Sequence, residues 1–325
     1  MSNEMGVDMT NRGVIQPGDV QIAITLASLT YLAENDTPED IGLLISSHLE
    51  QADLPTANSW RVVWGPAVHG PNMCYVARGP NSAGPATLAL VIRGTNMTSV
   101  ESLKQDAELE LVPLPFTGPG IPANLRISRG FSDAYVHLTH ATDARGETAF
   151  EYLARTLEPD TVLDVVGHSL GGAMAPIVAV ALKPFFARTT VRCFSFGGQS
   201  PGNAAFARHF RTAFPDQPSR WIVDIDIIPM WYGGLDEMMT LFGPSGPPCP
   251  AWVKALVLSV ENRHEYEALP SPHRYTGVLY PLVTSWETQA SNQHNHFYYM
   301  YLTGIPVAAI RSRLGPAWSP PYPSS

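Results

Sequence analysis

Val162-Leu163-Asp164-Val165-Val166-Gly167-His168-Ser169-Leu170-Gly171-Gly172-Ala173 runs from an apolar, β-branched segment through a serine flanked by glycines into a second apolar segment that extends to Leu182. Residues 162–166 read as a buried strand and residues 173–182 as a helix. A serine hydroxyl is a poor nucleophile unless it is exposed on a strained turn beside a base. The glycines two positions to either side of Ser169 leave no Cβ to obstruct a sharp strand-to-helix turn, and Gly172 and Ala173 let the helix pack close to the sheet. The segment therefore reads as a nucleophile elbow with Ser169 at its apex.

The flanking pattern extends this reading. Apolar stripes predict helices over residues 20–32 and 40–49, followed by short β-rich runs at 61–64, 73–78 and 88–93 separated by Gly-Pro turns. A helix at 147–157 precedes the elbow; strand 191–196, helix 204–214 and strand 221–225 follow it. Alternation of this kind implies an α/β fold with a mainly parallel central sheet covered by helices on both faces. The site then lies at the carboxyl ends of the strands. No linker, repeat or low-complexity tract divides the 325 residues, so one domain over residues 1–325 is expected, with helices at about 18–52 and a Pro-rich tail at 316–325.

Composition excludes several partners. A net charge of −9 with 20 Lys+Arg argues against nucleic acid and anionic membranes. Cys74, Cys193 and Cys249 permit at most one disulfide and lack the spacing of a metal or redox site; Cys193, in a strand, reads as a buried thiol. No metal or cofactor is implied. The apolar run 173–187 is broken by Pro176, Lys183 and Pro184 and is too short to span a bilayer, and residues 1–18 carry no secretory h-region. The expectation is a soluble protein, cytoplasmic or secreted by a route the sequence does not display.

In an α/β-hydrolase the triad runs Ser, acid, His along the chain. After strand 221–225 two acids compete, Asp224 and Asp226. Alternation leaves both on one face, and the Asp226-Ile227-Ile228-Pro229 context favours Asp226. For the base, His264, His273, His294 and His296 remain. His296 is favoured because it opens His296-Phe297-Tyr298-Tyr299, an aromatic run able to bury and orient an imidazole; His294 is the alternative, and His264 and His273 lie in polar, loop-like stretches. The oxyanion donors expected are the backbone N–H of Leu170 and that of Thr95, at the turn Arg93-Gly94-Thr95-Asn96.

Several ordered blocks carry a resemblance: Val91-Ile92-Arg93-Gly94-Thr95-Asn96, Gly130-Phe131 with Ala134-Tyr135, the elbow itself, Phe196-Gly197-Gly198-Gln199-Ser200-Pro201-Gly202-Asn203 with Phe206-Ala207, Asp226-Ile227-Ile228-Pro229, and His296-Phe297-Tyr298-Tyr299. Over residues 88–302 the chain resembles the class 3 lipases, the filamentous-fungal triacylglycerol lipase family. The resemblance implies Ser169 as nucleophile, Asp226 as acid, His296 as base, and Thr95 with Leu170 as oxyanion hole. It also implies a lid helix over residues 97–105, including Met97, Val100 and Leu103, with Asp106 supporting the Thr95 hydroxyl. Leu103 stands where the family's lid usually has tryptophan, and Ile127-Ser128-Arg129-Gly130-Phe131 lacks the family's histidine.

The function implied is hydrolysis of an acyl ester, a triacylglycerol or other glyceride, through an acyl-enzyme and with a lipid–water interface as a possible setting. A short-chain or feruloyl-type carboxylesterase is the alternative within hydrolases, and a non-catalytic lipase-like binding protein the alternative outside them. The Pro-rich stretch 241–248, between acid and base, reads either as a cap over an acyl pocket or as an ordinary loop.

Overall fold

The computed structural model describes residues 14–32, 36–80, 86–94, 110–215, 219–259, 265–270 and 272–321. The chain opens with α1 (Pro17–Leu29) and α2 (Pro38–Leu49), then enters β1 (Arg61–His69), β2 (Asn72–Arg78) and β3 (Thr87–Ile92). β4 (Leu111–Pro113), β5 (Arg126–Ser128), α3 (Arg129–His140) and α4 (Ala149–Thr156) lead to β6 (Val162–His168) and α5 (Leu170–Leu182). β7 (Thr190–Phe196), β8 (Gly202–Asn203), α6 (Ala204–Ala213) and β9 (Arg220–Val223) follow. The C-terminal third contains α7 (Leu235–Met238), α8 (Ala251–Ser259), β10 (Tyr266–Glu267), β11 (His273–Tyr275), α9 (Trp286–His294), α10 (His296–Leu302) and α11 (Val307–Arg313).

Seven strands form the central sheet in the order β1-β2-β3-β6-β7-β9-β11. The first two pairings are antiparallel, and from β3 to β11 all are parallel. Alternation along the strands divides the core between two faces. Leu88, Leu90, Ile92, Leu163, Val165 and Cys193 point toward α3, α4 and α5, whereas Ala89, Val91, Val166, Phe194, Phe196 and Trp221 point toward α1, α2, α10 and α11. Cys193 is buried and free, as the sequence implied. Among the described residues no helix is long and apolar enough to cross a membrane.

Three differences from the local pattern have physical causes. β1 continues to His69 rather than stopping near Trp64, because Gly65-Pro66, which reads as a turn, is absorbed as a bulge against β2. α5 begins at Leu170, directly after the serine, rather than at Ala173, and runs through Pro176. Pro176 has no N–H for the Gly172 carbonyl one turn earlier. That oxygen instead accepts a 2.6 Å hydrogen bond from the Ser195 hydroxyl on β7, so the helix is spared an unsatisfied acceptor and gains a tie to the sheet. The four-stranded second sheet, β10-β8-β5-β4, has strands of two or three residues, too short to show a period.

On the α1 face, Arg192 of β7 sits opposite Asp164 of β6 and grips it with two bonds, 2.6 and 2.9 Å. Its remaining arm reaches Asp19 of α1 at 3.0 Å, and Asp19 also accepts the Gln16 N–H at the helix start. The cluster fastens α1 to the parallel strands, and α1 leads directly to Tyr31. Removing one member of a buried ion pair strands the other, at about 3–5 kcal/mol, whereas replacing both with apolar groups of similar size is far milder. Asp164→Ala is accordingly expected to lower stability in urea denaturation by about 3–5 kcal/mol, and Asp164→Leu combined with Arg192→Met to cost less than the single change. A double variant as unstable as Asp164→Ala would show that the pair is a net stabiliser.

Candidate active site

Ser169 joins β6 to α5 with φ 59 and ψ −127, a left-handed region that a side chain normally avoids. The neighbourhood enforces it. A Cβ on Gly167 would overlap the Gly171 carbonyl, and one on Gly171 would overlap the Ile92 carbonyl, so both positions must be glycine for the turn to close. Ser169 N–H donates to Phe196 O (2.9 Å), and Ser169 O accepts from Ala173 N (3.0 Å), fixing the elbow from both sides. The N-terminus of α5, with the Leu170 N–H in its first turn, lies beside the hydroxyl and favours negative charge there.

The end of β3 lies close by. A Cβ on Gly94 would fall 2.9 Å from the Ser169 Cβ, so the backbone after β3 passes against Ser169. Thr95, the residue that follows, lies outside the described residues, as do Met97, Val100, Leu103 and Asp106 of the expected lid; so does His264.

Asp226 lies beyond the end of β9 and has no solvent exposure. Its carboxylate is met by three donors: Ile228 N–H on Oδ1 (2.9 Å), and His294 Nδ1 (2.8 Å) and the Tyr299 hydroxyl (2.6 Å) on Oδ2. Burial, and then the Asp226 charge itself, push the Tyr299 phenol far above its usual range, so it stays protonated and donates. Asp224 acts elsewhere. Its carboxylate accepts Gly277 N–H at 2.7 Å and ties the segment after β11 to the sheet.

The sequence reading that puts His296 against the acid is corrected here. His294 is the last residue of α9 and His296 the first of α10; between them Asn295 is extended (φ −65, ψ 128) and caps α10 through Phe297 N–H. That single extended residue sends the two imidazoles to different places. His294 reaches Asp226, while its Nε2 is buried without a partner among the described residues. His296 stacks on Tyr31 with ring centroids 4.7 Å apart at 11°, and its Nδ1 has no partner among the described residues. Burial, followed by repulsion from His294, pushes its pKa down to about 3. The aromatic run does bury a histidine, but among the described residues the imidazole paired with a carboxylate is that of His294. His273 is exposed on β11.

Three neighbours are not apparent from the sequence. Tyr31, one apolar position in a helical stripe, shares a 3.0 Å hydrogen bond with His168 Nδ1 and donates to His168 O (3.3 Å). His168 stacks on His294, with centroids 4.7 Å apart at 28°. Burial first, and then His294 and His296, keep His168 well below the usual histidine range, so it is neutral at pH 7. Tyr299 reads in the sequence only as part of an aromatic run. Its signal is its place on α10 rather than any feature of its own. The stretch 241–248 contributes Phe242 to the core, packed against Trp286 at 5.8 Å.

Among the described residues no cluster of histidine, cysteine or acidic side chains can hold a metal ion. Residues 89–234 match the family described as Lipase (class 3). The chain is also 30% identical, over 148 residues, to a Penicillium cyclopium protein described as a secreted alkaline triacylglycerol lipase. The match covers 45% of this chain and 48% of that protein, so the chain spans about half the length of the curated relative it matches. In three dimensions it aligns with the crystal structure of M37 lipase at a TM-score of 0.76 and 22% identity, over 90% of this chain and 93% of the other, a likeness of fold.

The two histidines separate by pH and by mutation. A histidine kept neutral in the fold binds its proton only in the unfolded chain. Its burial therefore leaves stability untouched above about pH 6.5 and lowers it as pH falls from there toward 3, by about 1.4 kcal/mol per pH unit. His296→Phe is expected to retain most of the turnover and to flatten the loss of stability in urea between pH 6.5 and pH 4. His294→Ala is expected to lower kcat by roughly 10⁴-fold or more. Inactivity of His296→Phe with activity left in His294→Ala would reverse the assignment.

Proposed function

We propose that this chain is a class 3 lipase that hydrolyses carboxylic esters of hydrophobic acyl chains, triacylglycerols or other glycerides foremost, with Ser169 as nucleophile, His294 as general base and Asp226 as the acid that orients it. The carrying observation is the buried Asp226–His294 pair, whose free Nε2 belongs to an imidazole stacked on the residue next to Ser169.

In the proposed cycle His294 Nε2 takes the hydroxyl proton as Ser169 Oγ attacks the ester carbonyl. Asp226 holds Nδ1 and stabilises the imidazolium that forms, and Tyr299 and Ile228 N–H keep that carboxylate from turning. The oxyanion develops at the start of α5, where Leu170 N–H donates; by the family resemblance Thr95 supplies the second donor. Collapse expels the alcohol with the proton from His294. Water, deprotonated by the same imidazole, then attacks the acyl-enzyme through a second oxyanion. His168, neutral and hydrogen-bonded to Tyr31, backs the His294 ring without adding positive charge beside it.

Support for a glyceride substrate comes from the family and from the described activity of the Penicillium relative. Ser169→Ala is expected to abolish turnover of p-nitrophenyl esters while the far-ultraviolet circular dichroism is unchanged, and a fluorophosphonate to label Ser169 alone. Rates across an acyl-length series, below and above the solubility limit, separate the readings. Preference for long chains and emulsions supports the lipase reading; preference for acetyl or feruloyl esters supports the esterase one. Undiminished turnover in Ser169→Ala would end both.

A further inference from the structure

Behind the acid lies a cation that none of the preceding roles uses. Arg220, the first residue of β9, is 3% exposed and among the described residues makes no ion pair. Its Nη2 donates to two backbone carbonyls, Pro229 O at 2.7 Å and Gly198 O at 3.2 Å, while its buried Nε has no partner among the described residues. A buried guanidinium with an unmet donor and no carboxylate is a poor stabiliser compared with an apolar side chain of the same length. What it does accomplish is local. Pro229 ends the Asp226-Ile227-Ile228-Pro229 turn, whose Ile228 N–H holds Asp226 Oδ1. Gly198 follows Gly197, which has φ 58, donates to Trp221 O (2.9 Å) and is packed against the His294 ring and the Tyr299 hydroxyl.

We propose that Arg220 is a positioning residue for the catalytic pair: its guanidinium fastens the acid turn to the Gly197–Gly198 backbone and so fixes the Asp226 carboxylate against His294. The inference rests on the triad reading given above. One nitrogen bridges the two segments that form the walls of the pair, so losing the bridge frees the turn that carries Asp226 relative to the loop that backs His294. Misplacement of a catalytic group by an ångström or less is costly in rate, with little effect on substrate binding.

Burial lowers the Arg220 pKa to about 10, with Tyr299 and Asp226 acting to raise it and Arg274 of β11 to lower it, so the group is cationic at neutral pH.

Arg220→Lys keeps the charge and loses the fork; Arg220→Met loses both. On a soluble p-nitrophenyl ester, with rates normalised to the folded fraction by circular dichroism, Arg220→Lys is expected to lower kcat by about tenfold or more, with KM changed by no more than about twofold. Arg220→Met, which loses both bonds of the bridge, is expected to lose at least as much kcat, again with KM nearly unchanged. If Arg220→Met does not fold, the Lys variant decides alone. Unchanged kcat in the folded variants, a loss confined to thermal stability, or failure of both to fold overturns the assignment. Asp226→Asn serves as the control: if it keeps full turnover, the triad reading itself fails, whereas an inactive Asp226→Asn beside unaffected Arg220 variants sinks only the role of Arg220.

Discussion

A carboxylate with no contact with water is the constraint around which this site is built. Asp226 sits at zero exposure with Ile228 N–H, His294 and the Tyr299 hydroxyl all donating to it, which offsets the cost of burying so polar a group. Each donor comes from a different part of the chain: the turn after β9, the end of α9, and α10. The carboxylate therefore sets where two C-terminal helices must dock on a sheet edge. It also selects between two histidines that lie two positions apart.

The Ser169 side of the site is built by a different device, steric exclusion. Gly167 and Gly171 allow β6 to turn into α5 within one residue, and that residue, Ser169, is left in a conformation it would not choose alone. The same turn starts α5 at the very next residue, Leu170. The Arg192–Asp164–Asp19 cluster holds α1 on the same strands, and through α1 it delivers Tyr31 to His168. Stability and chemistry are thus connected through β6, which carries Asp164 at its centre and His168 at its end.

Much of this is legible locally. The elbow, the flanking strand and helix, and the alternation that makes a parallel sheet are written in residues close together in sequence, where periodicity and glycine placement act directly. Asp226 over Asp224 can be read from the Asp-Ile-Ile-Pro turn. His294 over His296 cannot, because the decision lies in one extended residue, Asn295, and in the approach of a loop from β7. Tyr31 and Arg220 are hidden for a related reason. A tyrosine at a helical spacing and an arginine at a strand start look like core and surface until the chain brings them against His168 and the acid turn. Pro176 reads as a break, and only the Ser195 hydroxyl on the neighbouring strand shows why the helix survives it.

The central claim is that His294, through its Nδ1, is the imidazole bound to the buried acid. Proton NMR of the enzyme with 15N-labelled histidine tests it without recourse to turnover, since an imidazole N–H donated to a buried carboxylate resonates far downfield of other exchangeable protons. The account predicts one such resonance in the native protein, present in His296→Phe and lost in His294→Phe and in Asp226→Asn. A downfield resonance that survives His294→Phe and disappears in His296→Phe would contradict it.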